Sequence, residues 1–117
     1  MKLGQLREKT FPVVIDFGGP DETIKMSLRP HVDGQAEAKA LKERIDASED
    51  DQETIDLIQG KFCRTVTRWD LQDDAGNEIP LTVEGLTAAN VPVSVLGDLL
   101  VRGYDEVANI KKRGRRG

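Results

Sequence analysis

The sequence predicts an α+β domain, an N-terminal β-hairpin followed by a small, mainly helical part of about four helices. Three observations carry this. Near the amino end, two short stretches alternate apolar and polar residues around a Gly-Gly-Pro turn. Farther along, the apolar spacing lengthens from two residues to three and four, the period of a helix facing a core. Between the last two helical stretches and those before them lies a dense set of turn formers, Asp73, Asp74, Gly76, Asn77 and Pro80.

In the hairpin, Thr10 to Phe17 places Val13, Ile15 and Phe17 on one face, and Ile24, Met26 and Leu28 repeat the pattern after the five-residue loop Gly18 to Glu22. Pro30 ends the second strand, and Asp33-Gly34 offers a turn. Residues 35–47 are rich in helix formers, with Ala38, Leu41 and Ile45 facing inward. Ser48 is the expected N-cap of the next helix, and Glu49, Asp50 and Asp51 occupy its first turn, where the dipole favours carboxylates. The inward stripe of that helix is Ile55, Ile58, Phe62, Val66 and Trp69, with Lys61, Arg64 and Arg68 on another face. Gly60 costs such a helix about 1 kcal/mol relative to alanine. Asp70 to Leu81 reads as a loop held down by Leu71, Ile79 and Leu81. Thr82 caps a short helix through Ala89, and Asn90 with Pro92 opens a last helix to about Ile110. Leu96, Leu99, Leu100, Tyr104, Val107 and Ile110 form its apolar side.

A chain of 117 residues with 38% hydrophobic and 32% charged residues is expected to fold as one domain, residues 1–110. Lys111, Lys112, Arg113, Arg115 and Arg116 give residues 111–117 a charge of +5, which leaves −9 on residues 1–110 against the total of −4. The expected arrangement is an acidic body with a basic, flexible C-terminal tail. Such a body repels nucleic acid, and the tail can touch phosphates without reading a sequence. No apolar run reaches the roughly 18 residues that a membrane span needs, and no secretory leader is expected. One cysteine, Cys63, permits no internal disulfide and fits a reducing compartment.

Candidate chemistry is thin, and the expectation is a protein that is not an enzyme and holds no cofactor or metal. His31 is the single histidine, too little for a triad or a zinc site. Cys63 sits beside Phe62 and reads as a small hydrophobe. The carboxylates from Asp46 to Asp56 follow one another at a helix start without converging. In the loop from Asp70 to Glu78, Gln72 stands where a calcium loop needs a carboxylate, and Gly76 comes one place late. Gly18-Gly19-Pro20 has neither the Lys-Ser/Thr nor the helix start of a phosphate cradle.

The stretch from Arg68 through Trp69-Asp70-Leu71, the acidic turn Gln72 to Glu78, Ile79-Pro80-Leu81-Thr82 and Val83-Glu84-Gly85-Leu86 resembles the signature region of the tail assembly chaperones of long-tailed, siphovirus-type bacteriophages. In that family a helix ends in Trp-Asp-Leu, an acidic Gly turn follows, and an apolar-Pro-apolar-Thr segment leads into a short and then a last helix. Ala88-Ala89-Asn90-Val91-Pro92 and the Leu-rich helix continue the pattern here. The resemblance covers about residues 68–100 in sequence and 10–110 in layout.

Membership would imply a protein that binds the tape measure protein, a very long helical chain, and keeps it soluble in the host cytoplasm. It would help recruit tail tube protein and be missing from the mature virion. The motif residues Trp69, Asp70, Leu71, Ile79, Pro80 and Leu81, and Leu96, Leu100 and Tyr104 of the last helix, are the candidate partner-binding positions. For Trp69 the plainer reading is an anchor for the loop, with direct partner contact as the alternative. The family also implies a programmed frameshift near Lys111-Lys112 that appends a tube-recruiting extension to some copies. A homo-oligomer is compatible with this reading. The competing classes are a permanent structural component of the tail or virion and an acidic adaptor or regulatory binding protein.

Overall fold

Strands Phe11–Asp16 (β1) and Thr23–Leu28 (β2) pair antiparallel, with Val13 opposite Met26 and Ile15 opposite Ile24. The structure, a computed structural model, describes residues 1–31, 35–48 and 50–114, the last four by their backbone alone. The two-residue alternation buries Val13, Ile15, Ile24, Met26 and Leu28 on one face. Pro12, Val14, Asp16, Thr23 and Lys25 lie exposed on the other. Phe17, expected on the inner face, is exposed, because the chain turns at Gly18 with φ +101°. Its ring instead lies under the Arg102 guanidinium, 4.9 Å from the centroid. A short helix, Leu3–Glu8 (α1), precedes β1 where only a polar start was expected; it buries none of its residues.

Helix Gln35–Ala47 (α2) has the expected bounds and buries Ala38, Leu41 and Ile45. The expected turn at Asp33-Gly34 lies outside the described residues, as does Glu49. Ser48 is not the cap of the next helix: its N–H bonds to the Arg44 carbonyl at 3.0 Å and so closes α2. Helix Gln52–Thr65 (α3) starts from Asp51, whose backbone is extended.

The helix expected to run to Trp69 stops at Thr65, and Val66–Trp69 forms a third strand (β3) beside β2. Thr65, Val66 and Thr67 are consecutive β-branched residues, which fit a pleated edge better than a helix. Val66 and Trp69 are three apart, so a regular strand would point them to opposite faces. A register shift between Ser27 and Leu28 lets both face inward, with Trp69 opposite Met26. That bulge reproduces on a strand the spacing of a helical stripe. The helix ending in Trp-Asp-Leu that the resemblance implies is therefore absent here.

Helix Val83–Ala88 (α4) follows, capped by Thr82 as expected, with the Gly85 N–H donating to Thr82 Oγ1 at 2.9 Å. Asn90 does not open the last helix; with φ +55° it ends α4 instead. Helix Val93–Gly114 (α5) begins after Pro92, whose carbonyl accepts from the Val95 and Leu96 N–H groups. Its backbone continues past the expected end near Ile110. The flexible tail expected for 111–117 falls on positions described by backbone only (111–114) or outside the described residues (115–117).

The core lies between the sheet, ordered β1-β2-β3, and the helices, with α5 packed on α2, α3 and β1. Leu96, Leu99 and Leu100 are fully buried, and Tyr104 and Val107 nearly so. Gly103 allows the approach of α5 to the sheet, since a Cβ there would stand 2.7 Å from Leu28 Cδ1.

Candidate functional site

Trp69 is the hinge of the segment that follows it. It is buried in the core, its ring 5.2 Å from that of Phe62 at 59°, and its Nε1–H donates to the Ile79 carbonyl at 2.7 Å. One side chain thus joins the sheet to the far end of the acidic turn. Asp70 prolongs the pairing with β2: its N–H donates to the Lys25 carbonyl, and its Oδ1 accepts the Lys25 N–H at 2.9 Å. Leu71 and Ile79 close the turn, as the Ile79 N–H reaches the Leu71 carbonyl at 3.2 Å.

Inside that turn, Asp73 Oδ1 accepts from the N–H groups of Ala75 and Asn77 at 2.9 and 3.0 Å, and Gly76 takes φ +85°. The acidic run thus ties up its own backbone, the usual work of aspartate in a turn. Among the described residues no group of three or more His, Cys, Asp or Glu side chains is placed to hold a metal ion. Pro80 and Leu81 lead to α4, where Gly85 is required by contact: a Cβ there would lie 2.6 Å from the Pro80 carbonyl oxygen. The motif from Trp69 to Leu86 is therefore one connected unit whose parts hold each other in place.

Two concave surfaces border this unit. The larger, about 740 Å³, runs along the sheet beside the C-terminal half of α5. The exposed Pro12 and Val14 and the half-buried Ile110 supply its apolar surface over the buried Val13, Met26 and Trp69, and Lys25, Arg68, Asp70 and Glu106 supply charges of both signs. The smaller, about 570 Å³, lies between the acidic turn and the α4–α5 junction, lined by Leu71, Ile79, Ala89, Val91, Pro92 and Val95. Of the expected partner-binding positions, Trp69 and Asp70 line the first and Leu71 and Ile79 the second. Pro80 is exposed and Leu81 half-buried between α4 and the turn. Leu96 and Leu100 are at 0% exposure and hold the fold; the last helix offers Ile110 and Glu106 to the groove in their place.

Tyr104 has a different neighbour from the one its stripe implied. Lys61, expected on a charged outer face, is completely buried: its Nζ lies 3.5 Å from the Tyr104 hydroxyl, 5.6 Å from the Tyr104 ring centroid and 3.7 Å from Glu37 Oε2. The half-exposed Glu37 carboxylate gives this ammonium a counter-charge at the rim of the core. No sequence signal marked it, because a lysine one place before Phe62 on an amphipathic helix ordinarily reaches solvent. At Cys63, burial first and the Glu84 charge second push the thiol pKa up from 9.0, so it stays protonated at neutral pH and is a poor nucleophile.

Comparison with known proteins finds no protein-family model, no curated protein and no solved structure that matches this chain. Among the described residues no helix is long and apolar enough to cross a membrane.

Proposed function

We propose that the protein is a non-enzymatic binding protein of the phage tail assembly chaperone type, whose groove beside α5 receives an amphipathic helix of the tape measure protein. The observation that carries this reading is the groove itself. Its surface is apolar at the exposed Pro12 and Val14 and the half-buried Ile110, with the buried Val13, Met26 and Trp69 beneath, and it is edged by Lys25, Arg68, Asp70 and Glu106. A helix with an apolar stripe and flanking charges of both signs meets these requirements. Trp69 belongs both to the groove and to the motif of the resemblance, so one residue links partner contact to the ordering of the turn. In this role the chain acts in the host cytoplasm, leaves before the virion is complete, and brings tail tube protein through a frameshifted extension of some copies.

Co-expression with the tape measure protein tests the reading. The chain raises that protein's soluble yield, and Ile110→Asp abolishes the gain; because Ile110 is half-buried against the core, the variant is compared at a temperature below its own melting transition, where it remains folded. Equal insolubility with and without the chain, at matched expression, removes the chaperone function. Sequencing the messenger around Lys111-Lys112, with mass spectrometry for a minor longer product, tests the extension separately.

A further inference from the structure

The open side of β1 carries a hydrogen-bonding pattern that matches itself. Phe17 N–H donates to the Glu22 carbonyl across the hairpin, and Lys25, on the far strand, exchanges bonds with Asp70 on the β3 side. In an antiparallel ladder the bonding direction alternates residue by residue. Residues 11, 13, 15 and 17 therefore bond toward β2, and the backbone groups of Pro12, Val14 and Asp16 point out of the sheet edge. Two of these groups are withdrawn. Pro12 has no N–H, and the Asp16 carbonyl already accepts from Arg102. Proline and charge on an edge strand are ordinary protection against pairing, yet here they leave one register intact.

We propose that two copies of this chain pair through β1, antiparallel about a two-fold axis at Val14, into a continuous six-stranded sheet. In that register Val14 faces Val14 of the second copy and exchanges both bonds with it, while Pro12 faces Asp16. The Asp16 N–H donates to the Pro12 carbonyl. The complementary bond would need the proline N–H and the Asp16 carbonyl, and these are the two groups withdrawn, so nothing is left unmatched. Moving the strands by one pair in either direction breaks this: Val14 N–H then meets the occupied Asp16 carbonyl, or the Val14 carbonyl meets proline. Val14, an apolar side chain half exposed between Pro12 and Asp16 on the outer face, gains an identical neighbour across the axis. The symmetry is that of the commonest homodimers. The contact is small, which places it among transient, concentration-dependent interfaces.

Sedimentation of the full chain alone tests this, independently of any tape measure partner. Across about ten micromolar to about one millimolar, which spans weak dissociation constants, the wild type passes from monomer toward dimer. Val14→Pro raises the dissociation constant at least tenfold with unchanged melting, since Val14 N–H makes no ladder bond to β2. Cysteine cross-linking fixes the register without relying on that variant's folding. Opposed residues in such a pair have Cα atoms about 5.5 Å apart, within disulfide reach. In a Cys63→Ser background, Val14→Cys therefore forms a disulfide dimer on mild oxidation, and Asp16→Cys does not. A wild type that stays monomeric throughout overturns the proposal, whether the edge then takes a strand of another protein or none. A dimer indifferent to Val14→Pro overturns it as well, as does cross-linking at position 16 in place of 14.

Discussion

The hairpin with α5 and the segment from Asp70 to Pro92 are two solutions to holding a chain in place. In the first, many apolar side chains share the work: Val13, Ile15, Ile24, Met26 and Leu28 belong to one buried cluster with Leu99, Leu100 and Val107. In the second, apart from the buried Ile79 and Leu86, directional contacts hold a largely exposed chain, among them Trp69 through Ile79, Asp70 through Lys25, Asp73 through its own turn, and Thr82 at the start of α4. Distributed packing degrades gradually when one residue changes. A few directional contacts fail locally and leave the remainder intact. A segment built in the second way can be displaced or reshaped by a partner while the core stays folded.

The contrast can be broken most forcefully at the residue shared by both regions. Trp69→Ala removes a buried ring and its side-chain tie to the Ile79 carbonyl, and costs about 3–5 kcal/mol, read as a large fall in melting temperature. An unchanged melt would mean that the ring does not hold the two regions together. Next comes Gly103→Ala, confined to the distributed core. Its methyl meets the fully buried Leu28, and overpacking of this kind costs about 1–3 kcal/mol, only partly offset by up to about 1 kcal/mol of gained helix propensity. Denaturant unfolding measures the net loss, and a net gain would show that α5 can move off the sheet at little cost.

Asp73→Ala sharpens the comparison from the other side. It removes an acceptor from two exposed backbone N–H groups, which water can then solvate, so the loss is about 0.5–1.5 kcal/mol and falls on the turn. Hydrogen exchange at Ala75 and Asn77 should accelerate strongly while amides of Leu99 and Leu100 keep their protection. Uniform acceleration at all four would mean that the turn and the core unfold together. The smallest effect is expected at Asp51, which starts α3. The Thr54 hydroxyl first, and Arg44 at 3.2 Å, hold its carboxyl below the ordinary value of 3.8. A lowered folded-state pKa stabilises the fold above the ordinary value, and the contribution is lost as pH falls through the folded one. Asp51→Asn should therefore melt slightly lower than the parent at neutral pH, and the difference should shrink to nothing in strong acid. A difference that persists there would assign the effect to shape rather than charge.

Much of the architecture was legible because periodicity reports which face a residue presents. Period two gave the hairpin, and the i, i+3, i+4 spacing gave α2 and the core side of α5, including Leu96, Leu99 and Leu100. Periodicity failed where a local irregularity imitates another period: the bulge beside Ser27 and Leu28 makes Val66 and Trp69 look like one more helical turn. The β-branched run at Thr65 to Thr67 was the available warning. At the candidate site, Trp69 as an anchor for the loop was readable, because a large aromatic beside a polar segment can cover that segment's few apolar residues; the bond of its N–H to the Ile79 carbonyl was not. The groove was not, since Met26, Lys25 and Glu106 come together only through sheet order and the path of α5, which are properties of long-range pairing. The burial of Lys61 was hidden for the same reason: its partners Glu37 and Tyr104 lie far away in sequence on either side.

The place of α5 in the chain has a consequence for synthesis. The hairpin, α2 and α3 all pack on a helix made after them, so a nascent chain emerging from the ribosome carries its inner apolar faces uncovered until residues 93–107 follow. Folding is then gated by the last stretch translated, and the exposed β-strands wait longest, in the state most open to capture by other nascent chains. Slowing translation across α5 should increase that exposure, whereas slowing it across α1 should have little effect.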